Sequence, residues 1–217
     1  ACFSQWYESK FTVDGITYNT AEHWMMAQKA LLFGDKDCFD KIIATSKPGE
    51  AKALGRTVSG FDELIWNDRR IEIVTAGNIH KFNQNNNLYN FLIATGYKIL
   101  VEASPVDTIW GIGLSSDSQG IENIYTWRGL NLLGFSLMEA RDFLIKHGHF
   151  DYLVSPILPP WKKYPDKDAM DMYWRMGNGE EYIAEFSHYF DKLTPEQQTI
   201  FKLTYPTPSG WHSFYNS

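Results

Sequence analysis

With 217 residues, 44% hydrophobic and 21% charged, the chain is long enough to bury a full core and falls among ordinary globular proteins, not disordered ones. Its formal net charge of −6 supplies no basic field that would draw it onto nucleic acid, so any polynucleotide contact must be local: an end, a flipped base or a modification. Cys2 and Cys38 are too few for a disulfide scaffold or a structural zinc site and fit a reducing, cytoplasmic setting; no stretch approaches a membrane span, no secretory pattern is present, and Ala1 reads as a trimmed start.

Phe3 to Tyr18 reads as two short extended segments around the turn Asp14-Gly15. Thr20 then caps a helix that runs to about Phe33 and stops at Gly34. Within it Glu22 and Lys29 stand seven residues apart, so they share a stripe to within about 20° and lie about 10 Å apart along the axis. That is too far for an ion pair and about the length of a nucleoside. Two opposite charges among Trp24, Met25, Met26 and Ala27 either solvate the helix edge or mark a polar site let into a core-facing surface, the reading that the later stretches favour.

Cys38–Ala44 and Pro48–Leu54 are expected to be short helices, the second ending at Gly55. Asp62 through Phe82 keeps a long helical period, and Leu88–Thr95 closes at Gly96. Ile99–Ala103 is β-like, and Ile109–Leu114 reads as a strand or an irregular glycine-bearing segment. Asn131–His147 is another helix. These elements predict an α+β fold, a predominantly helical single domain with a few short strands. Its main part is expected over residues 1–150, with an aromatic-rich extension over 151–217 packed on the same domain. In that extension Asp168–Trp174 is extended or helical. Glu180–Leu193 and Pro195–Leu203 are helices, the latter capped by Thr194.

Several chemistries find no support. His147 and His149 lack the companions a metal site needs, no glycine-flanked serine or activated cysteine appears, and no phosphate-binding glycine loop is present. No cofactor is expected. What remains is polar residues beside aromatics and glycines. Arg56 follows a helix breaker, where its guanidinium can reach a phosphate. Trp66 sits in a polar run and can stack on a base or fill the core. Asp107 lies after Ser104-Pro105 and before Trp110-Gly111-Ile112-Gly113, as an Asx-turn or a working carboxylate.

Together these stretches resemble the NADAR (YbiA-like) family from about Phe3 to Leu144. The carriers are Phe3-Ser4, Glu22-His23 with Gln28-Lys29, Gly55-Arg56, Trp66, Lys81-Phe82 with Gln84-Asn85, and Leu100-Val101-Glu102. Asp107, Trp110-Gly111 with Gly113, Gly129 with Asn131, and Leu133-Gly134 follow. Gln5 stands where many members carry Asn, and the extension looks like that of longer members. The resemblance implies an N-glycosidase that cleaves a ribose C1–N bond. Its substrate would be ADP-ribose on the guanine amino group of nucleic acid, or else an early riboflavin-pathway ribosylamine.

On that reading Glu22 is the leading catalytic residue and Asp107 the second. Lys29 is an imine-forming nucleophile or a phosphate anchor. Arg56 holds phosphate while Trp66 and Trp110 flank base or ribose. Ser4, Gln84, Asn85, Gly111 and Asn131 complete the substrate-binding candidates. The expected partner is an ADP-ribose-type ligand, with DNA or RNA contacted locally and no membrane. A non-catalytic ADP-ribose reader and an interaction protein docking through the aromatic tail are the alternatives.

Overall fold

Thr20 decides where the first helix starts. In the computed structural model, which describes residues 2–216, its hydroxyl accepts the backbone N–H of His23 and α1 (Ala21–Leu32) follows. The expectation for Ala1 lies outside the described residues. Before the helix, β1 (Phe11–Val13) and β2 (Ile16–Tyr18) pair antiparallel with Phe11 opposite Tyr18. Asp14 and Gly15 both take positive φ, 50° and 75°, the twist a two-residue hairpin needs.

α2 (Lys36–Ala44) is capped by Asp35, α3 (Pro48–Gly55) begins on its proline, and α4 (Glu63–Asn83) is capped by Asp62. α5 (Asn86–Ile93) leads to the irregular segment, and α6 (Leu132–His147) returns against α4. α1 packs on α2, α3 and α4 around one core that includes Phe11, Trp24, Ile42, Val74, Phe82 and Leu137. The fold is therefore α+β and mostly helical, with one two-stranded sheet among the described residues.

Neither Ile99–Ala103 nor Ile109–Leu114 is a strand. Their backbone groups find scattered partners instead of a ladder: Ile112 N–H donates to the Glu102 carbonyl at 3.0 Å, and Arg128 N–H to the Ile112 carbonyl at 2.8 Å. Asn131, left-handed at φ 53°, closes the segment by accepting from Glu102 N–H and donating to the Leu100 carbonyl, each at 3.0 Å. Only a 3-10 turn, Ile124–Thr126, is regular between α5 and α6.

Beyond α6 come α7 (Pro160–Lys163), a 3-10 turn at Met172–Arg175, α8 (Asn178–Asp191) and α9 (Pro195–Thr204). α9 opens with a full capping box between Thr194 and Gln197. These elements enclose a second core of Trp161, Phe186, Phe201, Tyr205 and Trp211. The segment docks through Lys162 on Asp14 (2.5 Å), Arg69 on the Thr207 hydroxyl (3.0 Å) and Ser209 N–H on the Leu32 carbonyl (3.2 Å). Buried His80 of α4 is bonded to the Tyr152 hydroxyl at 2.8 Å and the Leu203 carbonyl at 3.0 Å. The extension thus covers the hairpin, the end of α1 and the exposed side of α4.

Candidate functional site

The charged stripe of α1 faces α3, but it does not form one site. Between Glu22 and Lys29, Met26 packs against Gly55 so closely that any Cβ at position 55 would run into the thioether. No nucleoside fits between the two charges. Each belongs to its own cluster, one on either side of that contact.

Glu22 is almost fully buried, its backbone N–H donates to the Gln5 carbonyl at 3.0 Å, and its Oε1 has no hydrogen-bond partner. Burial raises its pKa to about 7, against the pull of Lys52, a polar contact from Trp6, and Arg56. The Asp107 charge pushes the same way as burial. Asp107 itself is aimed by its backbone: Oδ1 accepts the N–H groups of Ile109 (3.0 Å) and Trp110 (2.8 Å). The Asx-turn and the functional reading are therefore compatible, because the turn fixes where the carboxylate sits. Burial and the same Asp107 charge also hold the Glu102 carboxyl above its ordinary range.

Lys29 lies on the other side of Met26. Its ammonium donates to the Gly55 carbonyl at 2.8 Å and sits 4.1 Å from the Phe61 ring centre and 5.5 Å from that of Trp66. Burial lowers its pKa. This amine anchors the end of α3, next to Arg56, and Trp66 serves as its cover, with neither among the groups acting on Glu22.

The remaining expected residues build the frame. The Ser4 hydroxyl accepts Trp6 N–H at 3.2 Å, fixing the segment that presents Trp6. Gln84 clasps β1 through Thr12 N–H and carbonyl, both at 2.8 Å, and lines a separate cleft of about 690 Å³ with His149 and Tyr152. Asn85 donates to the Lys10 and Lys81 carbonyls. Trp110 packs on the main core and Gly111 lies tight against the Glu102 and Asp107 carbonyls. With Asn131 they brace the loop that carries Asp107.

Three residues outside the expected site set join it, of which only Lys81 was named in the sequence, as a carrier of the resemblance. Trp6 and Lys52 act directly on Glu22. Lys52 stands four residues before Arg56 on one helix, a same-face spacing that could have flagged it. Lys81 has no exposed surface, and its amine donates to the Cys2 carbonyl at 2.7 Å and the Ser4 carbonyl at 3.1 Å. Burial lowers its pKa to about 8. It tethers from below the segment that bears Trp6 and bonds Glu22.

A groove of about 940 Å³ runs elsewhere, along the seam with the extension past Tyr18, Trp24, Arg69, Trp161 and Trp211. Glu22 does not line it, and no extension residue is among the groups acting on Glu22. Among the described residues no group of three or more His, Cys, Asp or Glu side chains could hold a metal, and no helix is long and apolar enough to cross a membrane.

The sequence model of the NADAR domain matches residues 1–145. An N-glycosidase of Acanthamoeba polyphaga mimivirus is 46% identical over 145 residues, 64% of this chain and 85% of that protein. A riboflavin biosynthesis protein of Vibrio vulnificus is 30% identical over 185 residues, taking in 83% of this chain and 46% of that protein. The NMR structure of the E. coli protein YbiA aligns with a TM-score of 0.56 at 30% identity, over 70% of this chain and 84% of that one.

Proposed function

We infer the function from two facts: the chain belongs to the NADAR domain family, and it is a hydrolase acting on N-glycosyl bonds. The substrate we propose is ADP-ribose attached to the guanine amino group of nucleic acid. Breaking a ribosyl C1–N bond requires a proton on the departing nitrogen, negative charge facing the oxocarbenium ion, and water at C1. With its pKa raised to about 7, Glu22 carries a proton about half the time at neutral pH, as a general acid should. It protonates the guanine amino nitrogen as the bond breaks, Asp107 faces the developing positive charge, and Arg56 holds phosphate. Water then bonds to C1 and returns its second proton to Glu22, leaving a free hydroxyl and a free amine.

The observation that carries this reading is the Glu22 carboxyl: buried, one oxygen without a partner, with Asp107 and Arg56 acting on it. Lys29 enters as the anchor of α3, not as the nucleophile, because its amine is engaged by a carbonyl and covered by rings. An open edge favours a base that belongs to a polymer, since Trp6 is half exposed and Arg56 exposed.

The test is Glu22→Gln on a guanine-ADP-ribosylated oligonucleotide. Turnover should fall by about 10²–10⁴-fold while the ligand still binds; undiminished turnover sinks the assignment. Riboflavin-pathway ribosylamines assayed in parallel decide the substrate. Faster hydrolysis of those compounds would move this chain to the chemistry that the Vibrio vulnificus relative is named for. Binding without release of ADP-ribose would make it a reader.

A further inference from the structure

α3 presents two cations to one carboxyl. Lys52 and Arg56 stand four residues apart, hence on one face and about 6 Å apart along the axis. Neither makes an ion pair or a side-chain hydrogen bond with any described residue; in this they resemble exposed lysines such as Lys10 and Lys41, but Lys52 is half-buried and held over the Trp6 ring. The carboxyl they converge on, Glu22, is half neutral near pH 7 and leaves their charge largely unbalanced. In a chain of net charge −6, a local positive edge left unpaired is prepared for an anion.

The spacing also says which anion. One helical turn between cations matches adjacent phosphoryl groups better than a single one, which Arg56 alone could hold bidentately. Beside this edge lies an aromatic surface. The Trp6 indole has 49% of its surface exposed, lies against the backbone at Gly49, and has the Lys52 amine 5.9 Å from its ring centre. An exposed indole on a backbone that Ser4 fixes, flanked by a cation, has the make-up of a base-stacking platform.

We propose that Lys52 and Trp6 complete a nucleoside-diphosphate subsite: Lys52 takes the second phosphoryl group beside Arg56, and Trp6 stacks on a nucleobase. This makes Lys52 a specificity-determining residue that separates diphosphate-bearing from monophosphate-bearing ligands. The inference rests on the proposed placement of the ligand at the Glu22 cluster, and not on Glu22 itself being catalytic.

Calorimetric titration of the full chain with ADP, AMP and adenosine tests it. ADP should bind about tenfold or more tightly than AMP, the worth of one added charge-assisted contact. Lys52→Met, which keeps the alkyl stem, should bring the two affinities to within about threefold, and Lys52→Arg should restore the gap. Trp6→Ala should weaken both nucleotides by about tenfold with their ratio unchanged, and Trp6→Phe should recover most of the loss. A thermal melt of each variant establishes that it is folded. Equal affinities for ADP and AMP in the parent chain overturn the proposal, as does an unchanged ratio in Lys52→Met. If Glu22→Gln abolishes hydrolysis while the ADP:AMP ratio ignores Lys52, the glycosidase reading stands and this one falls. A Lys52-dependent ratio without any hydrolysis gives the reverse.

Discussion

Around α1 and α4 the interior holds Glu22, His23, Asn78, His80 and Lys81, whereas the core beyond residue 152 is built from Trp161, Phe186, Phe201, Tyr205 and Trp211. The two interiors do different jobs. Most of the buried polar groups in the first are satisfied: His23 by Thr20 and Thr45, Asn78 by Val74 and Gln5, Lys81 by Cys2 and Ser4. Glu22 Oε1 is one of four buried side-chain atoms among the described residues without a hydrogen-bond partner, with Arg69 Nε, Arg70 Nε and Ser136 Oγ, and it is the one carboxylate oxygen of the four, left bare where chemistry is proposed. The second interior carries tyrosine hydroxyls that reach carbonyls, such as Tyr215 on Tyr205, and otherwise packs ring on ring. A desolvated, unpaired charge costs stability, and a protein keeps one where it is used.

That contrast can be broken or sharpened by substitution. The largest stability loss is expected in the extension: Phe201→Ala should cost about 3–5 kcal/mol in denaturant unfolding, because a fully buried ring leaves a cavity among Phe186, Phe190 and Tyr205. Hydrolysis measured well below the melting point should stay within twofold of the parent; a large loss of rate would tie the extension to the site.

Glu22→Gln should act in the opposite direction. The folded-state pKa of about 7 lies above the unfolded value, so ionisation favours the unfolded chain progressively from pH 4.5 to 7, and the penalty is full above 7. The variant should therefore be more stable than the parent by roughly 3 kcal/mol at pH 8 and equal to it below pH 4.5. A gain independent of pH would show that the carboxyl is not held protonated by burial.

Smallest is Lys29→Met. Loss of one charge-assisted bond to the Gly55 carbonyl, partly offset by better packing under Phe61 and Trp66, should cost about 1 kcal/mol. Phosphate-ligand affinity should fall modestly as Arg56 loosens. Complete loss of turnover, or a borohydride-trapped adduct on Lys29, would return it to the nucleophile's role.

The helices were legible because their ends are written locally. Thr20, Asp62 and Thr194 cap, Pro48 starts, and Gly34 and Gly96 stop, each through contacts within a few residues. The segment from residue 97 to 131 was not, because its course is set by Asn131 reaching back to Leu100 and Glu102 about thirty residues earlier. The site was legible in part. Glu22, Arg56 and Asp107 stood out as charges beside glycines and aromatics, but their grouping with Trp6 and Lys52 depends on how α3 crosses α1. That crossing is set at Met26 and Gly55, and the same contact splits Lys29 from Glu22. Spacing along one helix gave the right face and could not reveal what a neighbouring helix would press between two of its residues.

His80 gives the order of assembly a physical cost. Burial holds its imidazole neutral, with the pKa lowered to about 4, and its two ring nitrogens are completed by Tyr152 and by Leu203, which is 123 residues further on. During synthesis α4 therefore leaves the ribosome long before the carbonyl that closes its central polar contact exists. Until then one ring nitrogen lacks the partner it has in the folded chain, and the arrival of α9 supplies it and fixes the tautomer. In the order of birth, the extension is the step that finishes the middle of the domain made before it.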